Sequence, residues 1–205
     1  MKLLKAVSVR EVKRTFVIAN NIRIQKSGRR YLSNISKEEF LKKFQQSKRK
    51  GLRMKNVQLD KHLEWPRRVH AYNVSHWYLG KVKTSEVGVW KGAGGLPLSW
   101  TNGSLKDTAD KVRRALGKNS KSLKKRARYA ISNMIATNVG MLQSEKYLLP
   151  IIFKGGTGTR GRRGFKRVMN GDIDDGCMRT IALAVHGVKV IRAYIGFPKK
   201  ARAVH

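Results

Sequence analysis

The excess of positive charge is the feature that most constrains how this chain folds. Its 205 residues include 46 Lys and Arg against 12 Asp and Glu, so the formal net charge is +34. The excess is present in every quarter of the sequence, which excludes a neutral enzyme that carries a basic tail. Because 40% of the residues are apolar, the chain can still bury a core. We predict a folded protein with a basic exterior.

This charge favours a polyanionic partner. Lys and Arg side chains that neutralise phosphates release condensed counterions, which gives affinity that does not depend on sequence. Nucleic acid is therefore the expected partner, and anionic lipid is the weaker alternative. No apolar stretch approaches the roughly 18 residues of a membrane span, so we expect no membrane partner and no signal peptide. The single cysteine, Cys177, excludes an internal disulfide and a zinc finger, and it fits a reducing, cytoplasmic compartment.

Short strands and helices are expected over residues 1–120. Residues 5–25 contain the β-prone runs Ala6–Val9 and Thr15–Ile18, and the turn residues Asn20 and Asn21 precede Ile22–Ile24, so a hairpin is predicted there. Residues 62–103 contain all four tryptophans and predict short strands and loops. Basic residues interleave with the rings, as in Trp65–Arg68, so the rings either fill a small core or stack on unpaired bases.

Three helices are predicted from their start signals. The segment Ser36–Glu39 has the spacing of a capping box, and the helix that follows should end at Gly51. A second helix should begin after Ser104 and end at Gly117. A third should begin near Ser122, with four cations that either contact phosphate or form a solvated face: Lys124, Lys125, Arg126 and Arg128.

From residue 147 the pattern becomes more specific. Tyr147–Phe153 predicts a buried strand, and residues 154–164 hold five glycines and four cations. This loop lacks the ending of a P-loop, so it either contacts nucleic acid or is a surface linker. The cations expected to bind phosphate in and after this loop are Arg160, Arg162, Arg163 and Arg167.

A strand, an acidic glycine turn, a helix and another strand are then predicted in that order. They span Phe165–Met169, residues 170–179, Thr180–His186 with Gly187 as the stop, and Val188–Ile195. Three acids lie in the predicted turn, where they either cap the helix or bind Mg²⁺ or Mn²⁺ through carboxylate oxygens: Asp172, Asp174 and Asp175.

This last third of the chain resembles the ParB/sulfiredoxin superfamily, which includes ParB-like nucleases and plasmid partition proteins. The matching pieces are a helix at Ile131–Leu142, a strand at Leu149–Ile152 and the turn Asp175-Gly176-Cys177-Met178-Arg179. Small residues follow at the family's spacing before the closing strand, namely Ala182, Ala184 and Gly187. The resemblance implies a small ParB/sulfiredoxin-like α+β domain over residues 121–205.

The resemblance also implies roles for residues of the turn. In that family the turn holds a nucleotide or phosphate, so Gly176, Cys177 and Arg179 are the expected cofactor-binding residues. Cys177 stands where sulfiredoxins have their catalytic cysteine, whereas Met178 replaces the usual histidine. A metal held by the three acids would activate water for hydrolysis, so the candidate catalytic residues are Asp172, Asp174, Asp175 and Arg179.

Together these features predict an α+β protein with a basic region over residues 1–120 and a ParB-like domain over residues 121–205. The favoured function is DNA binding in a bacterial or phage-infected cell, with metal-dependent nuclease or nucleotide hydrolase activity as the enzymatic hypothesis. The alternative is a structural RNA-binding component such as a ribosomal protein, for which we expect no catalysis and a preference for folded RNA. A nucleotide-dependent switch resembling partition proteins ranks third.

Overall fold

The chain folds around a mixed five-stranded β-sheet with helices on both faces, which confirms the predicted α+β class. A computed structural model describes residues 1–21, 24–26, 29–31, 36–124, 127–128, 130–135, 138–154 and 171–198. In this part of the chain the strands are β1 (Lys2–Val7), β2 (Ile24–Lys26), β3 (Arg29–Tyr31), β4 (Ser75–Lys83), β5 (Ile151–Lys154), β6 (Gly171–Asp175) and β7 (Val190–Pro198). The sheet order is β1-β4-β7-β5-β6, and β2 and β3 form a separate hairpin.

Strand β7 lies at the centre of this sheet. It pairs with β4 in the antiparallel direction along the full length of both strands, and with β5 in the parallel direction. The outer pairs, β1 with β4 and β5 with β6, are antiparallel. The sheet takes strands from both of the regions predicted from the sequence, residues 1–120 and 121–205. Pairing between strands so distant in the sequence cannot be predicted from the local sequence pattern.

The helices pack on the two faces of the sheet. In the described residues they are α1 (Val9–Asn21), α2 (Lys37–Arg53), α3 (Asn56–Lys61), α4 (Pro66–Val74), α5 (Leu105–Gly117), α6 (Val139–Ser144) and α7 (Cys177–Val185), with a π-helical segment at Ala130–Ile135. Helices α1, α3 and α4 share one core with the sheet, and α5 and α7 share the other.

Successive residues of the central strands point to opposite faces. In β7, Ala193 and Ile195 belong to the core shared with α5 and α7, whereas Tyr194 belongs to the core shared with α1 and α4. In β5, Ile152 and Phe153 divide in the same way. A strand buried on both faces needs apolar residues at consecutive positions, and these two strands have them.

Two of the predicted helix starts are confirmed by their caps. The Ser36 side chain accepts a hydrogen bond from the Glu39 backbone N–H at 3.1 Å at the start of α2. At the start of α5, Ser104 and Asp107 form a reciprocal capping box, and the helix ends at Gly117 as predicted. Each cap satisfies backbone donors that have no partner within the helix.

Gly51 does not end its helix, because α2 continues to Arg53. A Cβ atom at Gly51 would lie 2.5 Å from Cγ1 of Ile18 in α1. The glycine therefore allows α1 and α2 to approach closely, and it is a packing residue rather than a stop signal.

The predicted hairpin near the start is wrong. Thr15–Ile18 lies within α1, and Asn20 and Asn21 are the last two residues of that helix rather than a turn. As a helix, the segment buries Val12 and Phe16 against the sheet and Ile18 against the residues of α2. Burial of these side chains outweighs the β-propensity of the local sequence.

The tryptophan-containing segment is also more regular than predicted. It includes α4 and the long strand β4, which carries Trp77 into the core with 3% of its surface exposed. The Trp77 ring packs against Tyr72 and Phe153, with centroid separations of 5.1 Å and 5.0 Å. The core interpretation of the rings is therefore confirmed for Trp77, whereas Trp65 is 40% exposed.

Candidate functional site

Asp174 and Asp175 end strand β6, and one residue separates them from α7. The pairing of β6 with β5 shifts between Ile151, which faces Asp175, and Ile152, which faces Ile173. Asp174 is therefore the extra residue of a β-bulge, an irregularity that redirects side chains and is frequent beside functional sites. The prediction that these acids lie in a turn is wrong, because they belong to a strand that this bulge bends.

Two side chains from α4 hold Asp174. Arg68 donates from Nε to Oδ2 at 3.1 Å and from Nη2 to Oδ1 at 3.4 Å, while the Tyr72 hydroxyl donates to Oδ2 at 2.9 Å. Arg68 and Tyr72 are four residues apart, which places them on the same side of α4. All three residues are buried, so the acid and its cation form a charge-matched pair inside the protein.

The rest of the Arg68 guanidinium is also enclosed. Nη1 donates to the Leu63 carbonyl at 3.1 Å and to Glu64 Oε2 at 2.9 Å. The guanidinium carbon lies 4.7 Å from the centroid of the Phe16 ring and 4.4 Å from that of Trp65. Arg68 therefore joins α1, α4 and β6 through one side chain.

Protonation in this cluster is determined by burial and by Asp174. Burial is the largest influence on the pKa of Arg68 and would lower it, but Asp174, Tyr72 and Glu64 together outweigh burial and raise the pKa above its ordinary value. Burial, and then the charge of Asp174, raises the pKa of Tyr72 well above that of an exposed tyrosine. Arg68 is accordingly a permanent cation at neutral pH, and Tyr72 is a neutral hydrogen-bond donor.

Asp175 has a different pair of partners. Its Oδ1 accepts a hydrogen bond from Asn20 Nδ2 at 3.2 Å, and its Oδ2 accepts one from Arg179 Nη2 at 2.7 Å. Asn20 comes from the end of α1, and Arg179 from the first turn of α7. The Nε atom of Arg179 is buried and has no hydrogen-bond partner within the described residues. The Arg179 guanidinium thus keeps a donor that Asp175 does not use.

Gly176 joins β6 to α7 in a left-handed conformation, with a φ of 90°. A Cβ atom there would lie 3.0 Å from Nη2 of Arg179 and 3.1 Å from Pro150, so both the backbone angle and the space require glycine. Cys177 begins α7 as a buried residue, with its Sγ 3.5 Å from the Ile173 carbonyl oxygen. The thiol thus faces the protein interior at the helix start.

The carboxylates predicted to bind a metal are already engaged in this geometry. Asp172 lies half-buried in β6, while the carboxylates of Asp174 and Asp175 each pair with an arginine. A divalent cation at either of these two carboxylates would have to displace that arginine. Among the residues that the structure describes, no group of three His, Cys, Asp or Glu is arranged to hold a metal ion. A Mg²⁺ or Mn²⁺ site here remains a prediction.

The predicted phosphate-binding cations are only partly within the described residues. Lys124 is exposed, and Arg128 is half-buried with its Nη2 donating to the Ser120 carbonyl at 2.8 Å. The helix expected from Ser122 is described only as helical residues 127–128 and the π-helical segment that follows. Outside the described residues lie most of the predicted glycine loop, the predicted strand Phe165–Met169, and the cations Lys125, Arg126, Arg160, Arg162, Arg163 and Arg167.

The sheet brings together a set of cations that the sequence did not reveal. Lys2 of β1 is in register with Lys81 of β4, and Lys81 is in register with Arg192 of β7. Paired residues of neighbouring strands point to the same face, here the face that α1 and α4 cover elsewhere. Lys83 alternates onto the same face, and Lys5 joins it because a register shift between Leu3 and Lys5 pairs Lys5 with Leu79. We refer to these five cations as the cationic sheet face.

The cationic sheet face is open to solvent. Its four lysines are exposed and Arg192 is half-buried, and within the described residues none of the five forms an ion pair. Glu86, which follows β4, instead binds the terminal ammonium at 2.9 Å; this hydrogen bond lowers the pKa of its carboxyl. Like charges in register destabilise a sheet. The alternation of Lys81 and Lys83 is the local sequence signal of this face. The register of β4 with β1 and β7 could not be predicted from the sequence.

A second basic surface lies at the end of α2. An open groove of about 540 Å³ is lined there by Gln46, Arg49, Lys50, Arg53, Met54 and Gln58. Cations in the last turns of a helix interact favourably with its dipole, so helix stability alone accounts for them. The cationic sheet face has no such explanation.

Comparisons of the chain with protein-family models, with curated proteins and with solved structures find no match. Within the described residues, none of the helices combines the length and the apolar character needed to cross a membrane. The ParB/sulfiredoxin resemblance therefore rests on the residues of the sequence alone.

Proposed function

We propose that this protein binds nucleic acid, with DNA as the favoured partner, through phosphate contacts on the cationic sheet face. The observation that carries the proposal is the register of Lys2, Lys81 and Arg192 on three adjacent strands, with no acidic partner among the described residues. The three cations repel one another in the free protein. A polyanion bound across them replaces this repulsion with attraction. Release of counterions from the phosphates adds to the affinity.

The use of acids elsewhere supports this assignment. Asp174 and Asp175 neutralise buried arginines, Asp60 pairs with Lys13, and Glu145 pairs with Lys48. These acids are thus engaged in local structure. The cationic sheet face concentrates cations while these acids are paired elsewhere. Such a surface attracts an external anion.

The ParB-like part of the proposal concerns the turn at Gly176. Its support is the left-handed glycine before α7, with Arg179 in the first helical turn and a buried Nε that Asp175 does not use. In this proposal Arg179 positions a phosphate of the nucleic acid or of a nucleotide. Phosphodiester hydrolysis with Mg²⁺ or Mn²⁺ is the enzymatic form of the same hypothesis.

A binding experiment tests the role of the cationic sheet face. Duplex DNA, single-stranded DNA and structured RNA are titrated at several salt concentrations with the wild type and with a K2Q/K81Q/R192Q variant. The matched control removes three exposed cations at and beyond the end of α5, in R114Q/K118Q/K121Q. The slope of log affinity against log salt should fall by about 0.9 for each phosphate that a variant no longer neutralises, so the slope should fall far more in the sheet variant than in the control. Equal reductions in both variants would refute a specific role for this face.

A cleavage experiment tests the turn. Supercoiled plasmid is incubated with the wild type and with R179K in Mg²⁺, Mn²⁺ or EDTA, after circular dichroism has shown that the variant is folded. Metal-dependent cleavage that R179K abolishes would support the nuclease hypothesis. Retardation without cleavage, strongest on folded RNA, would refute it and favour the structural RNA-binding alternative.

A further inference from the structure

Trp65 is an exposed aromatic ring with one face already occupied. It precedes α4, with 40% of its surface exposed, and the guanidinium carbon of Arg68 lies 4.4 Å from its ring centroid. Trp77, by contrast, is buried in the core. An indole with a cation against one face and 40% of its surface exposed presents a flat surface to a partner.

The backbone before Trp65 is held in a strained conformation. Glu64 has a φ of 71°, which a residue with a Cβ adopts at some cost, and the Trp65 N–H donates to the Leu63 carbonyl at 2.9 Å across it. The same carbonyl accepts a hydrogen bond from Arg68 Nη1 at 3.1 Å. Strain of this kind persists only where surrounding contacts fix it, and it concentrates at binding sites. The position of the Trp65 ring is thus fixed by this backbone geometry and by contact with the buried Arg68.

The surroundings of the ring are cationic. Lys61 and His62 precede it and Arg67 follows it, and all three side chains are exposed. Within the described residues, Lys61 and Arg67 form no ion pair with an acid, and Glu64 is engaged with Arg68. A ligand with a flat apolar part and flanking negative charges complements this arrangement.

We propose that the outer face of Trp65 stacks on an unpaired nucleobase, with the adjacent phosphates at Lys61 and Arg67. The site would therefore recognise a single-stranded segment, which rests on the proposed function but adds a contact that a duplex does not offer. Base–aromatic stacking is tolerant of sequence because every base has a π-face. The Arg68 guanidinium beneath the indole adds a second stacked layer.

Abasic oligonucleotides separate base stacking from phosphate binding. The affinity of a single-stranded oligonucleotide is compared with that of an abasic oligomer of equal length and with that of a duplex, for the wild type, W65A and W65F. W65A should weaken binding of the oligonucleotide by about 5- to 100-fold and leave the abasic oligomer and the duplex unchanged, whereas W65F should restore most of the affinity. Quenching of tryptophan fluorescence by the oligonucleotide should fall in W65F, which retains only the less exposed tryptophans.

The other outcomes overturn the inference. An equal weakening on the oligonucleotide and the abasic oligomer would mean that Trp65 only covers Arg68, and no weakening on either would mean that the ring is not used. A wild type that binds neither the abasic oligomer nor the duplex would instead refute the proposed function itself, because both carry the phosphates. The two failures are therefore distinguishable in one set of titrations.

Discussion

The buried end of β6 and the cationic sheet face use charge in opposite ways. At Asp174 and Asp175, each carboxylate is enclosed with an arginine from a neighbouring helix. On the cationic sheet face, Lys2, Lys81 and Arg192 lie side by side, and no acid of the described residues pairs with them. The buried carboxylates are therefore matched by cations, whereas the cations of the cationic sheet face are not matched by acids of the described residues.

This difference separates structural charge from charge available to a partner. An ion that is buried with its counterion contributes to a specific architecture, and removal of one member leaves an uncompensated charge. An exposed cation beside other cations destabilises the sheet and gains from an external anion. The nucleic-acid proposal follows from this second case and does not depend on net charge alone.

The largest expected effect is on the interior. Replacement R68M leaves Asp174 buried with only the Tyr72 hydroxyl, so the free energy of unfolding should fall by about 3–5 kcal/mol in urea denaturation. The exposed pair of Lys106 and Asp110 provides the control, because K106M should have little effect. The double variant R68M/D174L should recover much of the stability that R68M loses. If R68M lowers the free energy of unfolding only slightly, the buried charge pair does not stabilise the interior, and the contrast with the cationic sheet face is refuted.

A smaller effect is expected at Tyr72. Replacement Y72F removes one of the hydrogen bonds to Asp174 but keeps the ring, so it should lower the free energy of unfolding by about 1–2 kcal/mol. Urea denaturation at neutral pH measures this difference, and an unchanged midpoint would show that the hydroxyl does not hold Asp174.

The pH dependence of this effect has a definite sign. The pKa of Tyr72 is raised in the folded state, so its contribution to stability is full below about pH 10, the ordinary tyrosine pKa, and falls as the pH rises above it. Denaturation measured from pH 8 to 11 should therefore show a weaker alkaline loss of stability in Y72F. The part due to Tyr194 should remain, because burial, and then Glu11, raises its pKa also. An identical alkaline slope in both proteins would contradict the assignment.

The smallest effect should have the opposite sign. Replacement K81Q removes the central charge of the row, so it should raise the free energy of unfolding by a few tenths of a kcal/mol at low salt. The gain should disappear at about 1 M salt, where the screening length is only about 3 Å. K118Q, at the end of α5, should not show this gain, because a cation there is favoured by the helix dipole. Thermal denaturation at both salt concentrations would detect the difference, and a loss of stability in K81Q would show that the row is not repulsive.

The features that could be predicted from the sequence are those set by neighbouring residues. The caps at Ser36 and Ser104 act over three residues, so the helices α2 and α5 were predictable. The strands β5 and β7 were also predictable, because both of their faces are buried and their sequences therefore contain runs of apolar residues. In contrast, the strand preference of Thr15–Ile18 was overruled by packing in α1, which only the complete fold determines.

The candidate site was only partly predictable. The sequence indicated Gly176 and Arg179 because both belong to a short local motif, the turn Asp175–Arg179 that carries the ParB-like resemblance. It did not indicate Arg68 or Tyr72, which reach Asp174 from α4 across a long separation in sequence. The cationic sheet face depends on strand register, which a single sequence does not contain.

The central position of β7 also determines the order in which this molecule can assemble. The innermost strand of the sheet follows the sheet's other four strands in the sequence, so β1 with β4 and β5 with β6 remain two separate ribbons until β7 has left the ribosome. Contacts between residues so distant in the sequence slow folding, because the loop entropy is lost before the contacts form. During synthesis the unpaired edges of β4 and β5 stay open, and both are exposed to other chains. A nascent chain of this protein should accordingly reach its protease-resistant form only after β7 has been released.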